Sequence, residues 1–563
     1  MKNYIWIAIT LFCFFDAAGQ DKKWWRATVV YQIYPQSFKD ADGDGIGDLK
    51  GITQKIDYLH QLGVETIWIN PFYKSPGLDN GYDIADYLAI DPQYGTMADF
   101  DALLAGLKKR KMHLIMDMVL NHTSSEHEWF RQGSSSRQSP FHDFYIWQKG
   151  NRDSLPNNWP SIFGGSAWTW NEQTREYYLH MFLDKQPDLN WDNPLVRQSL
   201  YKMMRFWLDK GVDGFRLDAI SLISKNKSFP PMDLSKGIFA ALNGNVNNGP
   251  HLHRYLHEMN DQVLRKYNVF TVGEVYTDKD SAWQYVAPAR NEISAIHFFD
   301  GLWLSGKTTG IPFKNTMDGW NTALSGKQSW NTVILTNHDY PRAVSRIGND
   351  SMYRVESAKM LGAFLLTYRG TPFIFQGEEL GMTNYPFNNI SEIKDVTAHT
   401  GFAALQQQGM SDSAAFVVIA MTTRDNARTP IQWDASPNAG FTTAEKPWLS
   451  VNPDFTNINA ASQQADTMSV LHFYARLIAL RKANPVLIYG DFEDKSPKDP
   501  SLYVYTRTLK TKQWQIVLNM TATEVDYTVP TTGKLVLSSY GKKGQNDAPS
   551  VLRPYEARIY RLH

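Results

Sequence analysis

Residues 195–218, LVRQSLYKMMRFWLDKGVDGFRLD, decide the fold. The first part, 195–209, carries apolar residues at helical spacing and predicts a long amphipathic helix. The second part, 214–218, is a short apolar run opened by glycine and predicts a buried strand. On that strand Arg216 and Asp218 fall on one face, because side chains alternate along a strand.

The same alternation extends in both directions. Strands are predicted at 29–33, 66–70, 114–120, 214–218, 269–272, 296–299, 333–335 and 372–375. Helices are predicted at 49–62, 97–109, 195–209, 251–266 and 354–366. Eight strands interleaved with helices are the signature of a parallel sheet. A closed (β/α)8 TIM barrel covers both faces of every such strand, so the fold class is α/β. Residues 123–189, rich in Trp, Ser, Asn and Pro, are too long for a connecting loop and read as a small domain inserted after strand 3. From 485 to 563 the helical pattern gives way to alternating runs at 502–507, 514–519 and 534–539, which predict a C-terminal antiparallel β-sandwich domain. The barrel domain is thus assigned to 20–122 and 190–484.

The chain has 563 residues, 57 basic and 57 acidic, so its formal charge is zero. That balance lacks the positive footprint of a nucleic-acid binder. Aromatic residues make up 13%, which suits either sugar-ring stacking or a large core. At the N-terminus Lys2 precedes an apolar run, 5–15, followed by Ala17-Ala18-Gly19. The run is shorter than the about 20 residues a membrane span needs, and the pattern is that of a secretory signal peptide over 1–19. Cleavage there starts the mature chain at Gln20 and removes Cys13, the single cysteine. Disulfides, thiolate metal sites and cysteine nucleophiles are then excluded. An exported protein, periplasmic or secreted, without a stable membrane anchor or an obligatory protein partner, is the expectation.

A TIM barrel places its active site at the C-terminal ends of the strands. The polar residues at those ends are Asp117, Asn121 and His122; Arg216 and Asp218; Glu274; and His338 with Asp339. Three acids, Asp218, Glu274 and Asp339, on separate strands converge on one mouth. No nucleotide-binding glycine loop or His-Glu-x-x-His zinc spacing accompanies them. Paired carboxylates without a cofactor point to glycoside hydrolysis.

These motifs occur in a fixed order: 117–122, Gln186-Pro187-Asp188-Leu189-Asn190, 214–218, 271–274 and Asn337-His338-Asp339. Over essentially the whole mature chain the sequence resembles the α-amylase family of glycoside hydrolases, in its oligo-1,6-glucosidase and α-glucosidase branch. The resemblance implies that Asp218 is the nucleophile and Glu274 the acid and base. It implies that Asp339 binds the sugar hydroxyls, that Arg216 keeps Asp218 ionised, and that an oligosaccharide is the substrate. His122 and His338 would donate to the same ring, and Asp117, Phe163, Gln186 and Arg342 complete the substrate-binding set. Asp79 and Tyr82, in Asp79-Asn80-Gly81-Tyr82-Asp83, match the segment that closes a pocket around a terminal glucose. Arg428, in Arg424-Asp425-Asn426-Ala427-Arg428, matches the arginine that joins that aspartate. The residue types of 79–81 also permit a plain polar turn.

Asp40, Asp42, Asp44 and Asp48 stand at positions 1, 3, 5 and 9 of a Gly-rich loop, with the Ile46 carbonyl between them. Hard oxygen donors suit Ca²⁺, with Mg²⁺ as the alternative, although Gly51 stands where an EF-hand has its bidentate Glu. Ala219 follows the nucleophile; in the resembling branch valine there goes with α-1,6 cleavage and smaller residues with α-1,4. Tyr340 follows Asp339 where glutamine is frequent. The stretch Trp303-Leu304-Ser305-Gly306-Lys307 stands where sucrose-isomerising relatives carry an Arg-Leu-Asp-Arg-Asp run, so the resemblance disfavours sucrose isomerisation. The expectation is a retaining exo-α-glucosidase leaning to α-1,4 or mixed linkages. An isomaltase, a transglycosylase such as a trehalose-forming enzyme, and a non-catalytic heavy-chain-like protein are its rivals.

Overall fold

The computed structural model describes residues 23–298, 310–325, 329–530, 533–541 and 550–562. The proposed signal segment 1–19, the end of the strand predicted at 296–299 and the stretch 303–307 lie outside the described residues.

Eight parallel strands form one sheet: β1 (Val30–Ile33), β2 (Thr66–Ile69), β3 (His113–Val119), β4 (Gly214–Asp218), β5 (Phe270–Glu274), β6 (Ala295–His297), β7 (Thr332–Ile334) and β8 (Thr371–Phe375). Their order is β6-β5-β4-β3-β2-β1-β8-β7. The two end strands meet through side chains: Thr332 Oγ1 donates to Ile296 O at 2.7 Å and lies 3.2 Å from His297 Nδ1. This closes the sheet into the barrel that the alternation predicts. Alternate residues divide between two cores. Val30, Trp68, Ile115, Phe270, Val272 and Phe373 fill the barrel interior. Tyr31, Ile67, Met116, Phe215, Leu217 and Ile374 face outward onto the helices.

The helices owe their limits to ordinary capping chemistry. Met97–Lys109 starts on a Thr96–Asp99 capping box. Pro194–Lys210 starts at an Asn193 cap with proline in the first turn and ends at left-handed Gly211. Two predicted helices are broken in the structure: 49–62 at Lys55, and 251–266 at Val263, where the backbone leaves helical values.

Within 123–189, strands Trp147–Lys149, Trp168–Asn171 and Glu176–Leu179 form an antiparallel sheet with the last in the centre. The segment leaves and rejoins the barrel at a bridge between His122 and Asp188. After helix Val470–Ala483 the chain builds a five-stranded antiparallel sheet, Asp491–Asp494 to Ala557–Arg561, onto which a two-stranded ribbon packs through Val525 and Leu552. Much of the aromatic content is core: Trp25, Trp68, Trp159, Trp168, Trp191, Trp207, Trp320, Trp330, Trp433 and Trp514 are all buried. A feature the sequence did not suggest is a helical hairpin, Val396–Gln407 and Asp412–Thr422, between β8 and the C-terminal sheet. Among the described residues, no helix is long and apolar enough to cross a membrane.

Candidate active site

At the C-terminal ends of the strands lies a cleft of about 350 Å³. Its walls include Asp79, Tyr82, His122, Phe163, Asp218, Glu274, His338 and Asp339. The alternation of β4 brings Arg216 and Asp218 inward while Phe215 and Leu217 pack outward. Arg216, 1% exposed, is the hub. Its Nη1 donates to Asp218 Oδ1 and, at 2.9 Å, to Asp117 Oδ1; its Nη2 donates to Glu274 Oε2 at 2.5 Å.

Charges buried this close together shift one another's titration. Burial, reinforced by the charges of Glu274 and Asp117, pushes the Asp218 carboxyl well above its usual range against the pull of Arg216. Burial also raises Asp117 to about 6, again opposed by Arg216. Asp117 is 0% exposed and lies beneath the cleft floor, bonded to Trp68 Nε1 at 3.2 Å and Tyr82 Oη at 3.0 Å.

Asp339 lies across from this pair. Burial alone would raise its carboxyl, but His338, Arg428 and Arg424 outweigh it and hold Asp339 below the usual range. His338 itself is neutral, its pKa lowered by burial to about 3. Gln32 Nε2, 2.9 Å away, donates to His338 Nδ1, so the ring proton sits on Nε2, facing Tyr82 Oη at 2.7 Å and Asp339 Oδ2 at 3.1 Å. Tyr82 stacks on the ring, with centroids 5.4 Å apart. His122, lowered by burial to about 4, is also neutral, its Nε2 3.1 Å from Tyr82 O.

The Asp79-Asn80-Gly81 segment is both the polar turn its residue types permit and part of the cleft wall. Buried Asp83 accepts from the Leu78 and Asp79 N–H groups at 2.9 and 3.1 Å, and Asn80 and Gly81 take left-handed conformations. The turn leaves Asp79 Oδ2 accepting from Gln186 Nε2 at 3.1 Å, while its Oδ1 is buried without a hydrogen-bond partner. Burial raises the Asp79 carboxyl to about 6, opposed by Arg424 and Arg428.

Two arginines are placed differently from expectation. The guanidinium beside Asp79 belongs to Arg424, with Nη2 3.7 Å from Asp79 Oδ1 and Nη1 3.6 Å from Asp339 Oδ1. Arg428, four residues on, instead donates to Asp339 Oδ1 at 3.0 Å and to His338 O at 2.9 Å. Arg342 is not brought into the cleft. It is 1% exposed, donates to Gln376 O, and lines a separate small cavity with Glu378 and Tyr474. The cleft also includes Tyr340, which the sequence reading singled out after Asp339, and Tyr276, Thr397 and Asp395, which it did not assign to the site.

In the acidic loop, carboxylate oxygens of Asp40, Asp42 and Asp48 lie within 4.8 Å of one another. Gly43 and Gly45 are left-handed there, as a loop folding back on itself requires. Asp44 is outside this group and accepts from the Ile46 N–H at 2.7 Å. Three hard carboxylates this close fit a divalent cation of the Ca²⁺ or Mg²⁺ kind. The three do not line the cleft.

Residues 32–490 match the alpha amylase catalytic domain. The chain is 46% identical to an oligo-1,6-glucosidase of Parageobacillus thermoglucosidasius over 96% of this chain and 99% of that one. It is 45% identical to an alpha-glucosidase of Pediococcus pentosaceus, again over 96% and 99%. The solved structure of the trehalulose synthase MutB from Pseudomonas mesoacidophila superposes with a TM-score of 0.91 at 43% identity, covering 96% of this chain and 99% of that one. With a closed parallel barrel, clustered acids at its C-terminal mouth and likeness along nearly its full length, this chain belongs to the alpha-amylase family of glycoside hydrolases.

Proposed function

We propose that the protein is a retaining exo-α-glucosidase that releases glucose from the non-reducing end of short α-glucooligosaccharides. The observation that carries this reading is that Asp218 and Glu274, on adjacent strands, share the guanidinium of Arg216 in the cleft that Asp79 also lines. Bonding to one guanidinium suits the about 5–5.5 Å carboxyl separation of retaining chemistry better than the about 6.5–9.5 Å of inverting pairs. In this mechanism Asp218 attacks the anomeric carbon while Glu274 protonates the leaving oxygen. A covalent glucosyl ester on Asp218 follows, and Glu274 then takes a proton from the water that cleaves it. Arg216 stabilises whichever of the two carboxylates is charged. Asp339, held ionised, and the Nε2–H of His338 bind sugar hydroxyls.

Asp79 and Arg424 supply the exo-specificity: an acceptor and a donor at the closed end leave room for a terminal glucose and no further sugar. Ala219 and the alpha-glucosidase likeness favour α-1,4 or mixed linkage, whereas the oligo-1,6-glucosidase likeness favours α-1,6. Glucose release from maltose and isomaltose, side by side with the purified mature chain, decides between them. A second reading, sugar transfer or isomerisation, is favoured by the likeness to trehalulose synthase. New disaccharides in place of free glucose at high sugar concentration would establish it. The acidic loop is assigned a structural Ca²⁺ or Mg²⁺ through Asp40, Asp42 and Asp48, with Asp44 and the Ile46 carbonyl as the further ligands. Export through the segment 1–19 completes the proposal.

A further inference from the structure

The helical hairpin roofs one side of the cleft through Thr397, Ala398, Ile419 and Thr422. Its apolar packing is local: Ala398, Phe402, Leu405, Phe416 and Ile419 join Phe387, Ile390 and Ile393 of the preceding segment in an apolar cluster separate from the main core. A roof with so few apolar ties to the barrel needs fixing where it begins and ends.

Both ends meet at one carboxylate. Asp395, 1% exposed, immediately precedes the first helix and caps it, accepting from Thr397 N at 3.0 Å and Thr397 Oγ1 at 2.9 Å. The same Oδ1 accepts from Arg424 Nε at 2.9 Å and Nη2 at 2.7 Å, and Oδ2 accepts from the Arg424 N–H at 3.1 Å, just beyond the second helix. Arg424 is thus hydrogen-bonded to Asp395 and stands off from Asp79 and Asp339 at 3.7 and 3.6 Å. Those two carboxylates pull on it, and Asp79 Oδ1 is the unpartnered acceptor it would fill.

We infer that Asp395 is a positioning residue: it holds Arg424 back from Asp79 and Asp339, keeps the glucose end of the cleft open, and ties that arrangement to the roof. This rests on the reading that a terminal glucose occupies that end. Charge is the active ingredient, because hydrogen bonds to charged groups are the strong ones and a neutral amide cannot compete with two carboxylates for a guanidinium.

Asparagine is as good a helix cap as aspartate, so Asp395→Asn preserves the hairpin and removes only the charge. Asp395→Ser, another good cap, removes the reach as well. Both should melt within a few degrees of the parent, bind glucose about tenfold to a hundredfold more weakly by calorimetry, and show a KM that rises more than kcat falls. Wild-type glucose affinity and KM in Asp395→Asn would overturn the inference. A purely capping role would leave both of these variants unchanged and show itself only in the melting temperature of Asp395→Ala. If the parent binds glucose but releases none from maltose or isomaltose, the hydrolytic reading fails while the calorimetric test of Asp395 still stands. A parent that binds no glucose overturns the inference.

Discussion

The backbone N–H of Ala219 donates to Glu274 Oε2 at 3.0 Å. It does so because Ala219, directly after Asp218, is in the left-handed region at φ 43° and ψ 33°. That conformation costs a residue with a β-carbon about 1–2 kcal/mol. Strain here is spent on aiming a donor at the acid while the preceding residue presents the nucleophile.

Ala219→Val is expected to lower the melting temperature, because a β-branched side chain is worse still in that region. Ala219→Gly should melt at or above the parent temperature. The maltose-to-isomaltose rate ratio should fall in the valine variant if this position sets linkage, and an unchanged ratio would remove Ala219 from the specificity argument.

Glu274→Gln should slow maltose cleavage by about 10²–10⁴-fold, the usual worth of a positioned acid. An aryl glucoside with a good leaving group needs no proton from Glu274 and should lose far less in its first step. Equal loss on both substrates would contradict the acid role.

Asp79 predicts a pH signature in stability. Its folded carboxyl is raised to about 6 from 3.8, so its protonated form is favoured by folding. The associated stability is present below the unfolded value and is lost as pH rises through about 6, at a cost of up to about 3 kcal/mol. Asp79→Asn should therefore match the parent below about pH 4 and exceed its melting temperature above about pH 6, while binding glucose more weakly. A constant difference across that range would refute the assignment.

In the acidic loop, burial raises Asp48, with the charges of Asp42 and Asp40 adding to it. A raised carboxyl costs stability as pH increases, and a divalent cation relieves that cost. A chelator should lower the melting temperature near neutral pH, less so in acid, and Ca²⁺ should restore it. Asp40→Asn should abolish the response.

The barrel was legible because each strand is a short apolar run buried on both faces and followed by a helix, as at Gly214–Asp218. The acids were legible for the same reason: strand ends are where polar residues interrupt such runs. Arg424 and Arg428 were not separable, since both sit in one motif and only the short helix Asp425–Arg428 between them decides which faces Asp79. Arg342 was misplaced because its neighbourhood to Asp339 in sequence says nothing about which way the next turn carries it. The hairpin was missed because its apolar residues serve a small local core rather than the barrel, and exposed Val417, Val418 and Met421 blur the helical pattern.

The account turns on the double displacement at Asp218, and the stereochemistry of the first product tests it most directly. Proton NMR of freshly released glucose should show the α-anomer appearing first, with the β-anomer growing in only by mutarotation. Initial release of β-glucose would mean direct attack by water and would contradict the roles given to Asp218 and Glu274.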